Sequence, residues 1–300
     1  MFNRLCIFVT LCLVLLACNE SLAKTNAQVK VREGIVLAAF GTSIPEAKAS
    51  FIAIEKAFQA HFKDTPIVWT YTSQIIRKKL AAQGEHILGI EEALAQLAKA
   101  HVKVVRIQPL HVLAGEEYTE LERAVLLAVQ KQRANFDAVY IGRPLLESVD
   151  DATIVAKALL HHTAAKREAE TALVLMGHGQ AQGRAGLAFE GVRSVFAAQD
   201  ANIYMATVEG KRDFTDLLAE LKAHGVRKVL LQPLMVVAGD HARNDLAGPD
   251  ADSWASQLKA CNITVSVNLE GLGVIPEVAG LYIQHAAESS DDLMQEPKKK

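Results

Sequence analysis

Three side chains stand where an α/β protein does its chemistry. His178 lies in Gly177-His178-Gly179 after one apolar run, Glu209 precedes Gly210 after another, and His241 lies in Gly239-Asp240-His241-Ala242-Arg243-Asn244-Asp245 after a third. Ligands of open α/β sheets sit beyond the carboxyl ends of the strands, so the three can converge on one crevice. Two imidazoles and a carboxylate offer nitrogen and oxygen donors to a borderline divalent ion such as Co²⁺, Ni²⁺, Fe²⁺ or Zn²⁺ and leave coordination positions open. The same groups can accept protons near neutral pH. Each also has a plainer reading, because a lone strand-end histidine often only packs and a lone glutamate is usually solvated. Compact spacings such as HExxH or paired CxxC are absent, so placement carries the reading rather than spacing.

The first half of the chain brings a different set to its strand ends: Thr42 and Ser43 after Gly41, Tyr71 with Thr72 and Ser73, and His111 followed by Glu116, Glu117 and Tyr118. The Gly41-Thr42-Ser43 turn can bind an anionic group, or it can simply cap a helix ahead of Pro45. His111 takes the place of Met235 in an internal repeat, so it either faces a ligand or packs. Arg184, Lys211, Arg212 and Arg243 flank the crevice and suit a substrate with several carboxylates. The expected substrate contacts are Thr42, Ser43, Tyr71, His111, Glu117 and Arg243. No GxxxxGK loop is present, which argues against ATP-driven chemistry, and neither a GxGxxG after a strand nor a GxSxG elbow occurs.

These residues need strands to present them. From Gly34 short apolar runs alternate with longer amphipathic ones, the pattern of βα units and parallel sheets. Strands are expected at 35–40, 67–71, 102–108, 138–141, 172–176, 203–207, 228–232 and 265–269, and helices at 46–62, 90–100, 117–133, 152–165, 214–224 and 276–287. Gln108-Pro109-Leu110-His111-Val112-Leu113-Ala114-Gly115 recurs as Gln232-Pro233-Leu234-Met235-Val236-Val237-Ala238-Gly239. The eight strands therefore divide into two duplicated four-stranded halves, with residues 24–170 as an N-terminal α/β lobe and 171–300 as a C-terminal α/β lobe carrying the metal site.

Composition agrees with an ordinary globular protein: 300 residues, 50% hydrophobic, with 32 basic against 34 acidic side chains. A net charge of −2 lacks the basic footprint of a nucleic-acid binder. Arg4 followed by the apolar run from Leu5 to Ala17 reads as an export signal over residues 1–23, with Ser21-Leu22-Ala23 placing cleavage before Lys24. The mature chain is then expected in the periplasm. A lipoprotein anchored through Cys18 after Leu15-Leu16-Ala17 and an uncleaved membrane anchor are the alternatives. Cys6, Cys12 and Cys18 belong to that segment, so the mature chain keeps only Cys261 and forms no internal disulfide. The Lys298–Lys300 tail reads as a solvated end.

Taken together, Ala39-Phe40-Gly41-Thr42-Ser43, Gln108-Pro109-Leu110-His111-Val112 with Gly115-Glu116-Glu117-Tyr118, Met176-Gly177-His178-Gly179, Val208-Glu209-Gly210 and Gly239-Asp240-His241-Ala242-Arg243-Asn244-Asp245 resemble the anaerobic cobalt chelatases, the CbiK-type sirohydrochlorin cobaltochelatases of the class II chelatases. The resemblance runs from Gly34 to the final helix. It implies two pseudo-symmetric lobes, each a four-stranded parallel sheet flanked by helices, with a tetrapyrrole cleft between them. It further implies ATP-independent insertion of Co²⁺ into sirohydrochlorin, with Fe²⁺ or Ni²⁺ as further candidates, and His178, Glu209 and His241 as the metal-handling residues. The export signal departs from a family whose pathway is cytoplasmic, and it motivates a rival reading: a periplasmic haem- or metal-binding transport protein that has kept the fold. For haem, the sequence offers His86, His101 and His111 as unassigned ligand candidates. Self-association is left open.

Overall fold

The computed structural model describes residues 32–180 and 183–295. Residues 1–23, read above as an export signal and holding three cysteines, and the Lys298–Lys300 tail lie outside the described residues. Strands β1 (Glu33–Ala39), β2 (Ile67–Tyr71), β3 (Val104–Pro109) and β4 (Ala138–Ile141) form one parallel sheet in the order β2-β1-β3-β4. Strands β5 (Ala172–Gly179), β6 (Ile203–Glu209), β7 (Lys228–Pro233) and β8 (Thr264–Val267) repeat the pattern as β6-β5-β7-β8. Parallel neighbours require crossover connections. In the first half these carry helices α1 (Ala49–His61), α2 (Gln74–Ala82), α3 (Ile90–Lys99) and α4 (Glu116–Gln132), and α5 (Val149–Thr163) leads out of it. In the second half they carry α6 (Ala185–Gln199), α7 (Phe214–Ala223) and α8 (Trp254–Ala260), and α9 (Pro276–Glu288) closes the chain. No helix among the described residues is long and apolar enough to cross a membrane.

The duplication survives in atomic detail. In both halves the repeated Gln-Pro ends the third strand beside the same position of the first, Gln108 opposite Leu37 and Gln232 opposite Leu175. Each glutamine side chain donates to the carbonyl of its own proline, and then to the segment after the fourth strand, at Arg143 O and Glu270 O. One recurrent buried amide thereby serves two backbone carbonyls in each half, one bond to each. The strand ends that carry the chemistry are tied down in the same way in each lobe.

Strands β5 and β6 run further than their apolar residues predict. The register pairs Gly177 with Thr207 and Gly179 with Glu209, so His178 and Glu209 are strand residues rather than loop residues. In β5 the added residues are two glycines and a histidine, and β6 ends on a carboxylate, so neither strand end carries a continuing apolar signal.

Side chains alternate along β1 and β5. Ile35, Leu37, Leu173 and Leu175 enter one large cluster, which also holds Phe58 of α1, Leu159 of α5, Phe196 of α6 and Tyr282 of α9. Val36 and Ala38 enter a second cluster outside the first sheet, and Val174 and Met176 a third outside the other. The central cluster belongs to both sheets and makes the lobes one body.

The closing helices depart from the expected division at residue 170. Helix α9 follows the second sheet in sequence yet packs on the first. Tyr282 donates to His111 O at 3.2 Å, His285 contacts Asp151 at 3.3 Å, and Arg106 reaches Ala286 O and Ser289 O at 3.1 Å. Beyond it, Asp292 bridges to Tyr140 at the edge of β4. Conversely, the far end of α5 turns toward the second sheet, where His162 and, just past the helix, Lys166 meet Glu270 at 2.9 and 2.7 Å. Contiguity in sequence suggested lobes cut at one point, whereas burial of two apolar helix faces is satisfied by exchanging them.

Tyr282 is wholly buried, and the carbonyl it serves also accepts from Leu145 N. Tyr282→Phe therefore leaves no carbonyl unpaired and should lower unfolding free energy by only about 0.5–1.5 kcal/mol in urea titrations. An unchanged midpoint would mean that packing alone holds the exchanged helix.

Candidate active site

Glycine chemistry places the first histidine. Gly179 has φ of +82°, and a β-carbon there would run into the Glu209 carbonyl oxygen and lie 2.5 Å from Thr207 Cβ. Only a residue without a side chain lets the end of β5 lie so close to the end of β6. His178 is held by a 3.0 Å hydrogen bond between its Nδ1 and Gly179 O. His241 stands at the entrance of a π-helical turn, Ala242–Leu246, and its Nδ1 lies 2.6 Å from Asp245 Oδ2. The two imidazole rings meet edge-on, 4.8 Å between centroids and 82° between planes.

Glu209 is the last residue of β6 and its side chain is exposed. Among the described residues no three His, Cys, Asp or Glu side chains form a ready-made metal cage. The expected trio is thus a preformed histidine pair with a carboxylate on the adjoining strand end, an open platform rather than a closed structural site.

A cavity of about 730 Å³ spans the two lobes, with His111, Glu117 and Tyr118 on one wall and His178, Glu209 and Arg212 on the other. Glu117 lies in the first turn of α4. Burial pushes its carboxyl above its ordinary value, any positive charge that protonation places on His178 or His241 opposes the shift, and the charges of Glu120 and Glu209 reinforce it. One carboxylate of the first lobe therefore senses all three of the second lobe's chemical residues. Gln180 ties the lobes at the mouth, its Oε1 accepting from Glu116 N at 3.3 Å. Arg212, in contact with Glu220 at 3.2 Å, is already partly neutralised.

His111 is buried, yet neither ring nitrogen has a hydrogen-bond partner. Burial lowers its pKa to about 4, so it is neutral at physiological pH with one donor and one acceptor unspent beside the cavity. Its neighbour Tyr118 packs edge-on at 6.1 Å. Of the histidines considered for haem, His86 and His101 are exposed surface residues that do not line the cavity.

Four expected substrate contacts do not line it. Thr42 is buried, with its hydroxyl accepting from Ile44 N at 3.1 Å, so it stabilises its own turn. Ser43, beside it, is half-buried. Tyr71 is a core residue. Its ring packs on Phe51 at 5.6 Å and fills the space where Gly41 lacks a β-carbon, and burial together with Glu85 pushes its hydroxyl up to about 12. Arg243 turns toward Glu46 of the first lobe, 3.9 Å away. The strand-end rule predicts the end of a strand but not the direction in which each side chain leaves it. Two residues were missed: Gln180, which has no signal of its own, and Asp245, whose spacing of four from His241 was the available signal.

The model of the cobalt chelatase family, CbiK, matches residues 33–291 of the sequence. The chain belongs to this family. It is 31% identical over 254 residues to the sirohydrochlorin cobaltochelatase CbiKC of Nitratidesulfovibrio vulgaris, covering 85% of this chain and 89% of that one. It is 32% identical over 268 residues to the sirohydrochlorin cobaltochelatase of Salmonella typhimurium, covering 89% and 99%. Among solved structures it resembles SirB from Bacillus subtilis with Fe³⁺, at a TM-score of 0.64 and 14% identity over 86% of this chain and 95% of that one. It also resembles CbiX, the terminal enzyme for biosynthesis of siroheme in denitrifying bacteria, at 0.50 and 15% over 86% and 100%. At such identities the two structures speak for the two-lobed chelatase fold alone.

In this cobalt chelatase the neutral His111 has a measurable consequence. The unfolded chain takes up a proton near pH 6.5 and the folded chain only near pH 4, so the stability present above 6.5 is lost as pH falls through that window. His111→Met, which installs the residue of the repeat, removes this acid-labile part. Thermal melts should show the variant gaining on the native chain steadily from neutral pH down to about 4; a constant gap would contradict the assignment.

Proposed function

We propose that this chain inserts Co²⁺ into sirohydrochlorin without ATP, with the macrocycle in the cavity between the lobes and the metal delivered from the His178 and His241 pair. The observation that carries the proposal is His178 on the wall of an inter-lobe cavity shared with Glu117 and Glu209, with the His241 ring edge-on behind it at 4.8 Å. Insertion exchanges two pyrrole N–H protons for one divalent ion, so the site must both hold the ion weakly and accept protons. An open imidazole pair suits the first requirement, since a closed cage would retain its metal. His178, on the cavity wall, serves as the base for the departing protons, with Glu209 of the same cavity balancing charge. Family membership and the named activity of both curated relatives support the cobalt assignment. Fe²⁺ and Ni²⁺ remain substrates to be tried, because nitrogen and oxygen donors rank several divalent ions closely. His111, neutral and unpaired, is proposed to contact the macrocycle with Glu117.

The reading includes export. Residues 1–23 are proposed to direct the chain to the periplasm and to be removed before Lys24, with lipidation at Cys18 as the alternative; the mass of the protein recovered from a bacterial host distinguishes them. Export also keeps alive the haem- or metal-carrier reading, in which the protein as isolated would show a bound chromophore and no turnover.

The deciding experiment follows the absorption spectrum of purified protein with sirohydrochlorin and Co²⁺. Conversion to the cobalt complex is expected, and His178→Ala should slow it by at least about 100-fold, the scale of a lost acid–base group, while tetrapyrrole affinity is retained. Native turnover by that variant would sink the assignment.

A further inference from the structure

We infer that Asp245 is a positioning residue that locks His241 in the tautomer presenting Nε2 to an incoming divalent cation. This rests on the chelatase reading above. Asp245 Oδ2 lies 2.6 Å from His241 Nδ1. An ionised carboxylate can only accept, so the hydrogen of this bond belongs to Nδ1 and the lone pair to Nε2. His178 reaches the same tautomer through a carbonyl, its own neighbour's, at 3.0 Å. Both rings therefore keep their lone pair on Nε2, but only His241 is backed by a negative charge. A carboxylate behind an imidazole fixes its orientation and raises its strength as a ligand.

The backbone is built for this contact. Residues 242–246 form a π-helical turn, a conformation that concentrates at functional sites. The turn closes where Gly248 N–H donates to Asn244 O at 2.9 Å, and a β-carbon on Gly248 would overlap that same carbonyl. Packing does not explain the aspartate, since its side chain is 45% exposed. An exposed carboxylate held at 2.6 Å within such a turn serves the ring it touches.

Two measurements test the inference. Long-range ¹H–¹⁵N correlation spectra of the metal-free native protein, at mildly alkaline pH where imidazoles are neutral, should show His241 protonated on Nδ1. Titration with Co²⁺ alone should then show Asp245→Asn and Asp245→Ala binding cobalt about 10–100-fold more weakly. In turnover the same variants should raise KM for cobalt and leave KM for sirohydrochlorin unchanged, a split that general loosening of the fold would not produce. An Nε2-protonated His241, or an Asp245→Asn protein with native cobalt affinity, overturns the inference. The spectra and the cobalt titration need no tetrapyrrole. A native protein that fails to turn over but shows Asp245-dependent cobalt binding would refute the proposed function and spare this inference, whereas active enzyme indifferent to Asp245 would do the reverse.

Discussion

The ends of strands β5 and β6 can approach at Gly179 and Glu209 only because nothing projects from the α-carbon of Gly179, which lies against the Glu209 carbonyl at a positive φ. Any larger residue would force the two strand ends apart. His241 has its own backbone device, the π turn that closes at Gly248. Two imidazoles held by separate elements thus meet at 4.8 Å without sharing a sequence motif. The precision comes from backbone that approaches too closely for side chains, and it sets the His178 ring on the wall of the open cavity.

The opposite wall depends on how the lobes are joined. A central apolar cluster runs from β1 to β5, and the exchange of α5 and α9 across the division stitches the halves together at both ends. Independent lobes on a linker would let the Glu117 wall wander from the histidine wall; a shared core holds it. The join has an electrostatic consequence, because half-burial of Glu117 at the cavity raises its pKa and the nearby charges of Glu120 and Glu209 add to the rise. His111 is similarly disfavoured as a cation and left without partners. These are costs to folding that an apolar cavity would avoid, and such groups collect where function requires them.

Much of the fold was legible because parallel sheets buried on both faces leave unbroken apolar runs, as in β1 and β5, and because the Gln-Pro repeat marks the same strand end twice. Helix α9 was legible as a helix but not as a neighbour of the first sheet, since nothing local in its apolar face says which sheet will cover it. The site was legible in part. His178, Glu209, His241, His111 and Glu117 stand out as polar residues at the ends of apolar runs, whereas Tyr71 and Thr42 obey the same rule and turn inward, because a packed ring and a self-capped turn leave no local trace.

The sequence by itself determined the βα order, the duplication, the family and the residue types available for metal and proton chemistry, since these follow from periodicity and from motifs short enough to be read along the chain. Tertiary structure decided which of those residues share a cavity, that the closing helices trade lobes, and that Asp245 stands behind His241. Those outcomes depend on backbone conformation and on contacts between residues far apart in sequence. The physical reason is that a strand end presents a side chain in one of several directions, and only the packing around it chooses among them.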